Sequence, residues 1–218
     1  MSEKRYKIIY EDDALIVVDK PSGMLVIPTP KGERNTLTDL LNRDLDSRGI
    51  EANAYPCHRI DRETSGLIVY AKGKAMQKAV MEEFHQKKVK KRYIAVVHGQ
   101  VKKDFATIAK SIYNRSRRKA EPALTKYRVL ERRGAFTVIE AQPITGRTNQ
   151  IRIHFMMIGH PLVGESVYAF KKDFALRFKR VALHARDIEF THPATKKWLN
   201  FTAPLPEDME RLIKGGNK

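Results

Sequence analysis

The chain has 218 residues, with 42 Lys and Arg against 25 Asp and Glu, for a net charge of +17. Its 42% of hydrophobic residues can build a core and exclude disorder. A single cysteine, Cys57, excludes a disulfide framework and a cysteine-based zinc site. No apolar run approaches the roughly 18 residues of a membrane helix. The opening MSEKRYKIIYEDD has no apolar signal core, so nothing points to secretion. The expectation is a cytoplasmic, strongly basic, globular protein with no membrane association. Such a charge points to a polyanionic partner, above all nucleic acid.

In chain order, KIIYEDDALIVVDKPSG predicts two short strands around a turn at Glu11–Asp13, stopped by Pro21 and Gly23. Thr36 is placed to cap a helix carrying Leu37, Leu40, Leu41 and Leu45 on one face and ending near Gly49. SGLIVYAK (65–72) reads as a strand. Residues 74–88 read as a helix with Ala75, Met76, Ala79, Val80 and Phe84 inward. KRYIAVVHG (91–99) alternates like a strand. TKYRVLERRGAFTVIEAQP (125–143) predicts a hairpin turning at Arg133–Gly134. TNQIRIHFMMIG (148–159) fits strand or helix; Ile151, Phe155 and Ile158 keep helical spacing, with Gly159 as the stop. VALHARDIEF (181–190) and KKWLNFTAP (196–204) predict two more strands, and PEDMERLIK a closing helix. No linker or repeat interrupts the chain. This order predicts one α+β domain over 1–218, with a mixed, mostly antiparallel central sheet flanked by helices.

The charge is uneven. Residues 1–50 are near neutral, whereas residues 87–133 hold 16 basic and 3 acidic residues. Three basic clusters within that stretch read as a surface that tracks phosphates, with Lys90, Lys91, Arg117 and Arg118 as candidate contacts to an RNA backbone.

The chemistry concentrates in CHRIDRETSGLIVYAK (57–72). Asp61 lies between Arg59 and Arg62, just before an apolar strand. A carboxylate at a strand mouth is held rigidly, and a neighbouring guanidinium would keep it ionised. It is then available as nucleophile or base. The alternative is a structural aspartate capping a turn, helped by Thr64 and Ser65. The seven histidines form no His-x3-His pair, so no metal site is expected. There is no Walker-type phosphate loop and no G-x-S-x-G elbow.

HRIDRETSGLIV (58–69) resembles the HRLDxxTSGLL signature of the RluA-type pseudouridine synthases. Four further blocks resemble that family's motifs in family order. They are DKPSGMLVIP (19–28), KKRYIAVVHG (90–99), PITGRTNQIRIHFMMIGHPLVGESVY (143–168) and LHARDIEFTHPATKKWLNFTAPLP (183–206). The resemblance implies an isomerase that detaches uracil from its ribose, rotates it and rejoins it through carbon, with no cofactor. It implies that Asp61 is the essential carboxylate, that Tyr93 stacks on the target uracil, and that Arg152 pairs with the aspartate. Arg59 would fill the gap left when the target nucleotide flips out. Weaker candidates for the substrate site are Arg62, Thr64, Arg147, Asn149, Gln150, Leu183 and His184; Arg147 and Gln150 are also placed to order the loop that presents Arg152. The family has His where this chain has Asn149, so proton transfer at that position is not expected here.

Many relatives carry an additional small RNA-binding domain before the catalytic part. Here the KPSG motif begins at Lys20, so the expectation is a compact, monomeric member whose RNA affinity comes from the catalytic domain. The partner implied is structured RNA, tRNA and/or rRNA, and the sequence does not choose between them. The rival reading is a non-catalytic RNA-binding or chaperone protein that keeps the fold. A nucleoside hydrolase is the third.

Overall fold

The computed structural model describes residues 5–169 and 176–215. The chain packs into two compact units, each built from two stretches. Unit 1 comprises Met1–Val89 with Asp187–Ala203, and unit 2 comprises Lys90–Arg186 with Pro204–Lys218.

Unit 1 starts with the antiparallel pair β1 (Lys7–Glu11) and β2 (Leu15–Lys20). Asp12 closes the turn between them by accepting the N–H groups of Ala14 and Leu15 at 2.8 and 2.7 Å. Helix α1 (Leu37–Ser47) begins at a reciprocal cap: Asp39 N–H donates to the Thr36 hydroxyl, and Thr36 N–H donates to the Asp39 carboxylate. Such a cap contributes about 1 kcal/mol. Leu37, Leu41 and Leu45 are buried, whereas Leu40 is half-buried at the edge of that face. Gly49, at φ +69°, ends the helix in the left-handed region that the sequence reserved for it. Short β3 (Ala54–Pro56) and the long β4 (Ser65–Lys72) follow, and β4 pairs antiparallel with both β2 and β3. Helix α2 (Lys74–His85) buries Val80 and packs Met76 and Phe84 against the core. Ala75, expected inward, is exposed. It lies in the first turn, off the narrow stripe that Met76, Val80 and Phe84 draw.

In unit 2, β5 (Lys90–His98) opens a sheet. The basic segment that follows was expected only as surface, yet it contains β6 (Phe105–Ala109) and the small hairpin β7 (Ile112–Asn114) and β8 (Lys119–Glu121). Then come β9 (Leu124–Arg133) and β10 (Phe136–Pro143), which form the hairpin expected at Arg133–Gly134. The order is β5-β10-β9-β6, with antiparallel neighbours. The ambiguous 148–159 segment is helix α3 (Gln150–Met157), stopped at Gly159 with φ +82°. It packs on β9 and β10, with Phe155 and Tyr127 rings 5.4 Å apart.

Strand β11 (Leu183–Thr191) passes from unit 2 into unit 1 at Asp187, and there pairs antiparallel with β12 (Trp198–Thr202). Helix α4 (Glu207–Gly215) returns to unit 2 and buries Met209 and Leu212 against Ile94, Val96, Phe136 and Val138. Each such side chain contributes about 1.5–3 kcal/mol. Its acidic first turn suits the helix N-terminus, and Asp208 takes the Arg180 guanidinium at 2.7 and 2.9 Å. Unit 1 has its own core of Leu15, Val17, Leu67, Val69, Val80, Ile188 and Phe190.

Gly164 is a tightly packed backbone position. Its φ is +81°, and a Cβ there would lie 1.8 Å from the Arg180 carbonyl oxygen. Gly164→Ala is expected to cost about 3 kcal/mol or more in a urea unfolding curve. Gly49→Ala, equally left-handed but with nothing within 4 Å, should cost only about 1 kcal/mol.

Candidate active site

In unit 1, Asp61 stands on the loop between β3 and β4 and is half-buried. Its carbonyl accepts Thr64 N–H at 3.1 Å, which makes residues 61–64 a turn. The KPSG segment grips this turn from the side. Lys20 is fully buried, and its Nζ donates to the carbonyls of Pro21, Met24 and Arg62 at 2.9, 2.8 and 3.1 Å. Gly23 N–H donates to the same Arg62 carbonyl at 2.8 Å, and the Ser22 hydroxyl to Glu63 O at 2.7 Å. Upstream, Cys57 N–H donates to Val69 O at 2.9 Å, and Val69 N–H donates to His58 Nε2 at 3.1 Å. The Asp61 backbone is therefore pinned on both flanks. Arg59 is exposed beside it. Arg62 is exposed as well, and its guanidinium meets Glu33 at 3.0 Å. Thr64 and Ser65 are buried at the start of β4.

In unit 2, Tyr93 is 8% exposed on β5. Register places it beside Ala141 and thence Tyr127, on the sheet face that α3 covers. Arg152 projects from α3 and is 5% exposed. The resemblance implied a pairing with Asp61. Within unit 2 the carboxylate that grips Arg152 is Glu165, at 2.7 Å to Nε and 2.8 Å to Nη2, a bidentate pair. Glu165 also accepts the N–H groups of Ser166, Val167 and Tyr168 at 3.0, 2.8 and 3.3 Å. Burial pushes this carboxyl upward. The Arg152 guanidinium and the Val167 and Tyr168 N–H groups outweigh burial and hold it below its ordinary value. Glu165 escaped the sequence reading although it occupies the acidic position of the GHPLVGESVY motif. Its partner lies 13 residues away, too far for any helical spacing rule.

Asn149 has a specific place. It starts α3 in the left-handed region, φ 54°, which asparagine tolerates better than most residues. Its Oδ1 accepts Arg152 Nη1 at 3.1 Å, and its Nδ2 donates to the Tyr168 hydroxyl at 2.8 Å. The Tyr168 ring lies 5.4 Å from the Arg152 guanidinium. The amide thus fixes the orientation of Arg152 without any titratable proton. Gln150 orders the preceding loop. Its Oε1 accepts from the Thr145 hydroxyl and Arg147 N–H, and its Nε2 donates to Leu124 O and the Thr125 hydroxyl. Arg147 is half-buried, with Nε donating to Pro122 O and Nη1 3.1 Å from Glu121. Leu183 and His184 are buried at the start of β11. Of the basic candidates, Lys90, Arg117 and Arg118 are exposed, while Lys91 is half-buried and burial pushes its ammonium down to about 8.

The Arg152–Glu165 pair predicts a pH signature. A folded carboxyl lowered from 4.5 contributes stability that is complete above that value and is lost as pH falls through the folded value. Glu165→Gln is expected to unfold about 3–5 kcal/mol more easily at neutral pH, because it removes the bidentate carboxylate from a buried guanidinium. Its stability should also fall less steeply than that of the parent below pH 4.5. Urea unfolding across a pH series checks both.

Comparison with known proteins agrees with this arrangement of motifs. A family model described as RNA pseudouridylate synthase matches residues 14–156. An uncharacterized RNA pseudouridine synthase of Bacillus subtilis, YlyB, is 40% identical over 97% of this chain and 73% of its own length. The dual-specificity RNA pseudouridine synthase RluA of Pasteurella multocida is 36% identical over 90% of this chain and 92% of its own. Among solved structures, human RNA pseudouridylate synthase domain containing 4 superposes with a TM-score of 0.79 at 26% identity, covering 94% of this chain and 92% of that one. The chain belongs to the RNA pseudouridylate synthase family, as an RluA-type isomerase that acts on RNA.

Proposed function

We propose that the protein converts uridines in stem-loops of tRNA and/or rRNA to pseudouridine, with Asp61 as the essential carboxylate. One observation carries this reading: a half-buried carboxylate stands on a turn whose backbone is clamped by the buried Lys20 ammonium and the KPSG turn. A purely structural aspartate needs no such support, whereas a reacting carboxylate gains from being held still. The Pasteurella relative's description as dual-specificity favours more than one RNA target for such an enzyme.

The reaction is an isomerisation. The bond between N1 of uracil and C1′ of ribose breaks, a bond from C5 to C1′ forms, the C5 proton leaves and a proton ends on N1. Asp61 acts on the sugar or the base as nucleophile, or takes a ribose proton as base; both roles need the ionised form. Tyr93 lies against the target base and Arg152 supplies fixed positive charge. The target base is flipped out of its stack, and Arg59, exposed beside Asp61, occupies the gap. The exposed cations Lys90, Arg117 and Arg118 hold phosphates.

Asp61→Ala is expected to abolish pseudouridine formation, read as tritium released from uridine labelled at C5, while RNA affinity stays within a few-fold. Isomerisation surviving in that variant would overturn the assignment, and free uracil as product would instead mark a hydrolase. Replacing Lys90, Arg117 and Arg118 with Ala is expected to flatten the plot of log affinity against log salt by about 0.7–0.9 for each phosphate that is no longer neutralised. A slope equal to that of the parent protein would place the phosphate-tracking surface elsewhere.

A further inference from the structure

The β7–β8 hairpin and the loop before α3 enclose a cavity of about 290 Å³ within unit 2. This is the small end of the roughly 300–1,000 Å³ typical of ligand pockets, with room for one base and none for a stem. Its walls include Tyr113, Arg115, Arg117, Arg147, Ile153 and Tyr168. With Glu121 as the only carboxylate among the lining residues, three arginines leave a net charge of +2.

The cavity is built in advance. Asn114 Oδ1 accepts the N–H groups of Ser116 and Arg117 at 3.1 and 3.2 Å and the Ser116 hydroxyl at 2.8 Å, which folds the hairpin tip. Glu121, 4% exposed, takes Arg117 on one oxygen at 3.0 Å and Arg147 on the other at 3.1 Å. One carboxylate thus ties the hairpin to the loop before α3 and holds two guanidinium groups in place. Arg115 is exposed on the same tip. Tyr113 lines the cavity and is 62% exposed, so its ring is accessible. Fixed arginines beside open aromatic faces are the means by which proteins hold unpaired nucleotides, the cation on the phosphate and the ring on the base. Another lining residue, Tyr168, contacts the Arg152 guanidinium and accepts from Asn149. An occupant of the cavity is therefore one side chain away from the Arg152 site.

From this geometry we infer that the cavity receives a second unpaired nucleotide of the RNA substrate, flanking the target uridine, with its base against the Tyr113 side and its phosphate facing Arg115 and Arg117. The inference rests on the proposed function and deepens it: recognition then extends to a loop position next to the modified one. Phosphate contacts alone carry no such information.

The test uses the full chain and two synthetic RNAs, a stem-loop with an unpaired loop and a fully paired duplex of equal length, with binding read by fluorescence anisotropy over a range of salt. Tyr113→Ala is expected to weaken stem-loop binding about tenfold with an unaltered salt slope, and Tyr113→Phe to restore it. Duplex binding should not respond to either variant. Arg115→Ala should reduce the salt slope by about 0.7–0.9, the share of a single phosphate. Scanning abasic sites through the loop should find one position where the base and Tyr113 lose their effects together, not additively. Equal weakening of stem-loop and duplex by Tyr113→Ala, or none of either, would overturn the cavity's role and leave phosphate tracking only. If instead the coupling is found but the parent protein isomerises no uridine, the proposed function fails and the nucleotide site stands.

Discussion

Burying the Lys20 ammonium is the constraint on which the candidate site depends. A charged amine taken out of water costs several kcal/mol unless its donors are met. Here three carbonyls meet it, and one of them belongs to Arg62, next to Asp61. The need to satisfy that charge fixes the path of the chain from Pro21 to Met24 and ties it to residues 61–64. The strand order places β2 next to β4, so both ends of the clamp grow from paired strands. The fixed path of the Asp61 turn is thus a consequence of one buried charge and a pair of hydrogen-bonded strands.

Unit 2 solves a parallel problem, a second buried cation, with a carboxylate instead of carbonyls. Arg152 is buried, and Glu165 with three backbone N–H groups around it neutralises the guanidinium and sets its plane. Asn149 and Tyr168 complete the support. Asn149 therefore positions Arg152 with a side chain that does not titrate. Gly164 belongs to the same device: only a residue without a Cβ lets the chain pass the Arg180 carbonyl and deliver Glu165.

The basic excess also acquires a structure. Residues 87–133 were legible as a charged surface, yet part of that charge is committed internally. Arg132 donates to Val101 O at 2.8 Å and pairs with Asp104 at 2.6 Å, and Arg128 meets Glu140 at 3.2 Å. Counting lysines and arginines overstates what is open to phosphate. The strands β6, β7 and β8 escaped the sequence reading because, at 5, 3 and 3 residues, they are too short to show a clear period. β6 pairs with the later strand β9, and Asn114 and Glu121 help hold the β7–β8 hairpin.

The sequence by itself determined the elements with strong local patterns. Thr36 and Gly49 bracket α1, the apolar run 65–72 can only be a buried strand, and the Gly134 turn closes β9 on β10. Its ordered motifs also determined the family, because they record residue identities and those survive in the linear text. Only the tertiary structure decided which charges are paired. A lysine reads as solvent-exposed by default, and nothing local reveals that Lys20 is buried under the Asp61 turn or that Glu165 grips Arg152. Ion pairs and carbonyl clamps depend on distance in space and on the loss of water around them. Neither quantity is written in spacing along the chain.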